Sequence, residues 1–126
     1  MKLIIGIPQI ISINSKLIWN PTHIEISKGE EYKFEADGLW KDLLKKCDAD
    51  GYTNLYMSIY NALKRSRENN WFALMGSINK AGDFLIGKNN QIVFNQDGNL
   101  YCYANDVKGF YWNNSGKLFL KITRIS

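Results

Sequence analysis

The chain has 126 residues, 45% of them apolar and 22% charged, which is material for one core of ordinary size and excludes a disordered or low-complexity chain. Sixteen Lys and Arg against twelve Asp and Glu leave a net charge of +4, a surplus too small to single out nucleic acid or a membrane surface as the partner. No run approaches the roughly 18 consecutive apolar residues of a membrane helix, and one domain over residues 1–126 is expected.

The first segment, MKLIIGIPQII, carries one lysine and a short apolar run broken by Gly6 and Pro8, with no small-residue cleavage site behind it. It reads as a strand and not as a signal peptide. The expectation is a protein that is cytoplasmic as synthesised, any export taking a non-classical route. HIEI sets Ile24 and Ile26 on one face, and EYKFEA alternates Tyr32, Phe34 and Ala36 against Lys33 and Glu35, as strands with one wet face do. Cys47 and Cys102 stand 55 positions apart with no CxxC and no His cluster. Zinc and thioredoxin-type chemistry are therefore not indicated, and two reduced thiols are expected.

TNLYMSIYNALKRSREN places Leu55, Tyr56, Ile59, Tyr60 and Leu63 at helical spacing behind Thr53 as a possible N-cap, predicting a helix over 53–67. Lys64, Arg65 and Arg67 would occupy its last turn, where cations suit the negative end of the helix dipole. Six of the sixteen cations fall between Lys41 and Arg67, and this cluster reads as a solvated helix end in preference to a phosphate site. FALMGSI, DFLIG, QIVF, LYCYA and KLFLKI follow, separated by NKAGD, GKNNQ and NQDGN, which are turn formers. Short strands spaced by about ten residues describe a β-sandwich or barrel.

Between the last two strands, YANDVKGFYWNNSGKLFL crowds Asn105, Asp106, Asn113 and Asn114 around Gly109. Turn chemistry accounts for such a set, because Asn, Asp and Gly close tight turns. The same oxygens suit a hard cation, since calcium takes about six to eight of them from carboxylates, Asn side chains and main-chain carbonyls. Composition leaves both readings open.

NDVKGFYWNNSG resembles the NDVPGTYGNNSG signature of the galactose-binding bacterial lectins of the PA-IL type, with the same spacing from the Asn-Asp pair to the Asn-Asn-Ser-Gly. KGEEYKFEADGLWKD is similar to that family's early strand and Gly-Trp segment, and FALMGSINKAGDFLIG to its central strand pair, so the resemblance runs from about Pro21 to Ile122. It implies an all-β fold, a small β-sandwich of jelly-roll or galactose-binding-domain-like form, with the helix inserted in a loop. It also implies a calcium ion (Ca2+) held by the Asp106 carboxylate, the side-chain oxygens of Asn113 and Asn114, and the main-chain carbonyls of Phe110 and Asp42, with sugar hydroxyls completing the shell. Asp106 and Asn113 would each meet the cation with one atom and a sugar hydroxyl with another, and the Val107 N–H would be a further donor. Asn105 would brace the turn.

The chain departs from that family in places. The family presents a His and a Gln to the galactose ring from the loop before the helix, whereas the single His here, His23, lies on an early strand and reads as an ordinary strand-face residue. LLKKCDADGYTN stands in the matching place. Lys45, Lys46, Asp48, Asp50 and Tyr52 could supply new contacts from it, although DADG reads first as a plain turn. Asp42 replaces an aromatic residue and brings a carboxylate; Phe110 replaces a Thr and brings an aromatic wall. Trp40, Trp71 and Trp112 invite stacking on a sugar, but in a small chain most Trp is core, and Trp112 is the one expected exposed near the ligand. The expected sugar contacts are Asp106, Val107, Phe110, Asn113, Tyr52 and Trp112.

These residues give a calcium-dependent lectin with a galactoside as first ligand, assembled as a homo-oligomer like the tetramers of the family it resembles. The alternative is a non-catalytic β-sandwich interaction module of a larger assembly with a structural calcium. An enzyme is not expected: a glycoside hydrolase needs two suitably placed carboxylates, and Asp48 and Asp50 have no evident partner. Nor are Lys and Arg interleaved with exposed aromatics along strands, as a nucleic-acid binder would have them.

Overall fold

In the computed structural model, which describes residues 1–54 and 60–126, the alternating segments lie in ten strands. These are β1 (Gln9–Asn14), β2 (Asn20–Ile26), β3 (Glu31–Asp37), β4 (Trp40–Asp42), β5 (Lys45–Cys47), β6 (Leu74–Ile78), β7 (Ala81–Leu85), β8 (Asn89–Val93), β9 (Gly98–Ala104) and β10 (Asn114–Arg124). One sheet runs β5-β4-β10-β3-β8 with β1 added along β10, and the other runs β2-β9-β6-β7. All pairings are antiparallel.

Period two decides which side chains meet. Ile24 and Ile26 of β2, Tyr32 and Phe34 of β3, Leu100 and Cys102 of β9, and Leu118, Leu120 and Ile122 of β10 turn into one buried cluster shared by both sheets. The fold is an all-β sandwich. Each such apolar side chain contributes about 1.5–3 kcal/mol relative to exposure, so the shared cluster dominates the stability. Ala73, Met75 and Tyr103 form a second buried cluster, with Trp19 packed on it. Cys47 and Cys102 are free and buried; burial raises both thiols, with Asp48 and then Asp42 helping to push Cys47 up to about 12. No helix among the described residues is long and apolar enough to cross a membrane.

Three expectations change. The first strand starts at Gln9, where pairing with Ile122 begins, and Met1–Pro8 lies outside any strand. Pro8 has no N–H to give a ladder, and Gly6 turns the chain at φ 81. Of the helix expected over 53–67, residues 55–59 lie outside the described residues. Thr53 and Asn54 have no regular structure, 60–63 wind as a 3-10 turn, and bends and turns follow to 69. Tyr60 and Leu63, expected on an apolar helix face, are exposed.

The basic cluster is not a solvated helix end either. Lys64 is buried and its Nζ donates to the Asn69 carbonyl at 2.6 Å. The Arg65 guanidinium lies 3.5 Å from the Tyr103 ring centre and 4.4 Å from that of Trp19, donating also to the Tyr111 hydroxyl at 2.9 Å. Tertiary partners override helix propensity here.

Candidate functional site

The site is assembled where β9 leaves the smaller sheet and β10 enters the larger one. After Ala104 the chain passes through Asn105, Asp106 and Val107, winds as a 3-10 turn over Lys108–Asn113, and enters β10 at Asn114. In the β10–β4 register Asn114 faces Asp42 and Gly116 faces Trp40. Gly116 has φ 85, and a Cβ there would sit 3.1 Å from the Trp40 Cα and 3.3 Å from the Leu39 carbonyl. The last residue of the NNSG stretch is therefore Gly because a side chain would push β4 away, carrying Asp42 off Asn114. The Leu43 N–H donates to the Asn113 carbonyl at 3.2 Å and closes the same junction. Asp42, Asp106, Val107, Phe110 and Asn113 thereby line one cavity of about 350 Å³, together with Tyr60, Leu63 and Trp71.

Its polar groups are incompletely satisfied among the described residues. Asp106 is 3% exposed; Oδ1 accepts the Val107 N–H at 2.7 Å, while Oδ2 is buried with no donor. Asn114 is 1% exposed, its Nδ2 donating to the Ser15 carbonyl at 2.9 Å, and its Oδ1 has no donor. The Asn113 Oδ1 is likewise buried and without one. Each such orphan costs about 1–3 kcal/mol, and buried polar atoms are nearly always paired. Three acceptors from one short segment, one of them a carboxylate, are ligands of the kind that could hold a cation preferring oxygen.

Charge agrees with that reading. Burial, with Asp42 adding to it, raises the Asp106 carboxyl to about 6 against the opposing Val107 N–H and the nearby Asn114 side chain, whose amide nitrogen is directed to the Ser15 carbonyl. The Asp42 carboxylate accepts the Tyr52 hydroxyl at 2.6 Å; burial first, then this bond, hold the Tyr52 phenol far above its ordinary range. Among the described residues no group of three or more His, Cys, Asp and Glu comes together. The donors on offer are one or two carboxylates, amide oxygens and main-chain carbonyls, a set suited to a hard cation such as calcium and poorly suited to zinc or copper.

The expected site residues divide. Asp42, Asp106, Val107, Phe110 and Asn113 meet at the cavity, and Asn114 stands beside Asp42 on the adjoining strand. The Val107 N–H, expected to face a sugar, is taken by Asp106. Tyr52 lies outside the cavity's described lining and acts on it through Asp42. Trp112 is 71% exposed on the 108–113 turn and also lies outside that lining. Asn105 is buried and braces not its own turn but the 66–70 segment, accepting from the Ser66 N–H and donating to the Ser66 and Asn70 carbonyls.

DADG is a turn: Asp48 accepts the Asp50 N–H and Asp50 the Lys88 N–H, each through Oδ1. Lys45 lies over the Tyr52 ring, and Lys46 is exposed. His23 is exposed on β2 at φ 62, within the bulge of the β2–β9 pairing. Tyr60 and Leu63 were hidden in the sequence by their helical spacing. Trp71, which reads as core, is 2% exposed yet walls the cavity, and its indole N–H has no acceptor among the described residues.

Comparison with known proteins gives a likeness of fold. No family model and no curated protein matches the chain. Among solved structures it is similar to the EclA N-terminal domain, described as a PllA-like lectin, with a TM-score of 0.73 and 14% sequence identity over 91% of this chain and 94% of that one. The sandwich architecture is common to both.

Proposed function

We propose that the protein is a calcium-dependent carbohydrate-binding protein, a lectin, with a galactoside as its first ligand. The observation that carries this reading is the trio of buried acceptors without donors, Asp106 Oδ2, Asn113 Oδ1 and Asn114 Oδ1, at the edge of an open cavity. These atoms would hold the cation with the main-chain carbonyls of Phe110 and Asp42. Bound calcium supplies open coordination positions, which two vicinal hydroxyls fill better than two separate waters.

The remaining work falls to this chain's own groups. Asp106 and Asn113 line the cavity and offer their other atoms to sugar hydroxyls. Tyr60, Leu63 and Phe110 give an apolar wall for the C–H face of a ring. Tyr52 fixes the orientation of the Asp42 carboxylate. The reading contains binding and no bond-breaking step, so the protein is not an enzyme on this account. A shallow single-sugar site gains avidity by repetition, and the reading includes a homo-oligomer. The solved structure sharing the sandwich is itself described as a lectin domain.

A glycan array probed with calcium and again with a chelator tests the proposal. Binding to a defined set of glycans that disappears with the chelator is the expected result. A calcium-stabilised protein that ignores every free glycan would overturn it, leaving an interaction module with a structural ion.

A further inference from the structure

We infer that the site extends past a single sugar, into a second groove on the far side of Trp71, and that the ligand is a disaccharide or a longer chain. This rests on the lectin reading and adds the length of the ligand to it. The second cavity, of about 310 Å³, is close in size to the first, and Trp71 stands in the wall of both.

The two differ in chemistry. The first joins its oxygen donors to the apolar side chains of Tyr60, Leu63 and Phe110. Besides Trp71, the second has Tyr52, Asn61, Lys64, Arg67, Glu68 and Asn70 among its lining residues. The Asn70 amide is engaged, donating to the Asp50 carbonyl at 3.2 Å. The side chains of Asn61, Arg67 and Glu68 make no hydrogen bond or ion pair with another described residue.

That trio offers a donor-only guanidinium, an acceptor-only carboxylate and an amide that does both. A hydroxyl both donates and accepts, so a polyhydroxyl ligand matches the set. The formal charges of Arg67 and Glu68 cancel, the Lys64 ammonium that also lines the groove is engaged by the Asn69 carbonyl and lies over the Trp71 ring, and Glu68 would repel a phosphate. A neutral sugar is the better occupant.

Trp71 links the grooves by a second, independent observation. Its indole N–H is a buried donor with no acceptor among the described residues, at a residue whose backbone is fixed: the Tyr52 N–H donates to the Trp71 carbonyl at 2.8 Å. The next residue, Phe72, is fully buried with φ 62, a backbone state costing a bulky residue about 1–2 kcal/mol. Its N–H donates to the Asn105 carbonyl at 2.7 Å, and its own carbonyl accepts the Trp40 indole at 3.1 Å. A glycoside passing from one groove to the other crosses Trp71 at its linkage, where the ring and bridging oxygens are the acceptors that the indole N–H lacks.

The test is calorimetry in calcium with the tightest-binding methyl monosaccharide and with disaccharides carrying that sugar at the non-reducing end. At least one linkage should bind roughly tenfold more tightly than the methyl glycoside, the yield of one or two further net hydrogen bonds. Asn61→Ala, at a half-buried position, and Glu68→Gln, at an exposed one, should cut that gain to within about twofold while leaving methyl glycoside affinity unchanged. A methyl glycoside that binds as tightly as every disaccharide overturns the second groove and leaves the lectin reading intact. A disaccharide advantage that survives both substitutions overturns the assignment to this groove. Absence of binding by any sugar overturns both readings together.

Discussion

At the scale of single residues, the proposed calcium site would set ligand binding against stability at Asp106. Its carboxylate is buried, has one unpartnered oxygen and is raised to about 6, so in the metal-free chain the ionised form is disfavoured. Asp106→Asn removes the charge and places amide donors beside the unpartnered Asn113 and Asn114 oxygens. The variant should melt about 3–6 °C above the metal-free parent, a gain of roughly 1–2 kcal/mol, and should no longer be stabilised by calcium. Saturating calcium at about a hundredfold over Kd should stabilise the parent by about 2.7 kcal/mol. Scanning calorimetry with and without the ion checks both, and a variant that still responds to calcium would remove Asp106 from the site.

The pH dependence follows with its sign. The folded carboxyl titrates above the model-compound value of 3.8. Its contribution to metal-free stability is therefore present in full below that value and is lost as pH rises through about 6. Calcium binding at the proposed site should run the other way, weakening about tenfold per pH unit below about 6 as protons compete for the carboxylate. Calcium titrations between pH 5 and pH 7 would measure it.

At the scale of elements, the loop of residues 60–70 depends on groups distant in sequence. One buried carboxamide, that of Asn105, accepts the Ser66 N–H at 2.8 Å and donates to the carbonyls of Ser66 at 2.9 Å and Asn70 at 3.0 Å. Asn105→Ala strands these groups and should cost roughly 2–4 kcal/mol. It should also loosen the wall formed by Tyr60 and Leu63, so a lower urea midpoint accompanied by weaker glycan binding is expected. Unchanged glycan affinity would show that the loop does not shape the cavity.

The same loop shows where sequence reading stopped. Tyr32, Phe34, Ile24 and Ile26 announce their strands by alternation, and alternation is a property of neighbours. The Asp106 and Asn113–Asn114 set was equally visible, because those residues are close in sequence and their chemistry is compact. Tyr60 and Leu63 repeat at helical spacing, yet contacts from Asn105, Trp19 and Tyr103 on other strands and loops hold their segment in turns. No local pattern carries that information. Pairing of Trp71 with two cavities is a fact of three dimensions in the same way.

At the scale of the whole molecule, Glu30 ties distant segments together. It is 8% exposed. Oε1 accepts from Lys2 at 2.8 Å, the Ser27 N–H at 2.7 Å and the Tyr32 hydroxyl at 2.9 Å, while Oε2 pairs with Arg124 at 2.9 Å. Burial alone would raise its pKa, but the donors outweigh burial and hold it below 4.5. Glu30→Gln should cost about 2–3 kcal/mol, less than a fully buried pair because Lys2 and Arg124 are part-exposed. The sign is opposite to that of Asp106: this stability is present above the ordinary carboxylate pKa and is lost as pH falls through the lower folded value. Metal-free melting temperature should thus rise from pH 7 toward pH 5 and fall at more acid pH. Asp106→Asn should abolish the first limb, and Glu30→Gln should flatten the second.

The position of β10 affects how the protein is made. β1, β3 and β4 all pair on it, although it is the last of the ten strands in chain order. During synthesis the larger sheet has no middle until residues 114–124 have emerged from the ribosome. Up to that point β1 has no ladder partner, and β3 pairs only with β8, a two-stranded piece that is marginal in water. Apolar strand surface then waits uncovered, which favours chaperone binding and invites aggregation. A nascent chain stalled before Asn114 should be digested readily by a protease that leaves the finished sandwich intact.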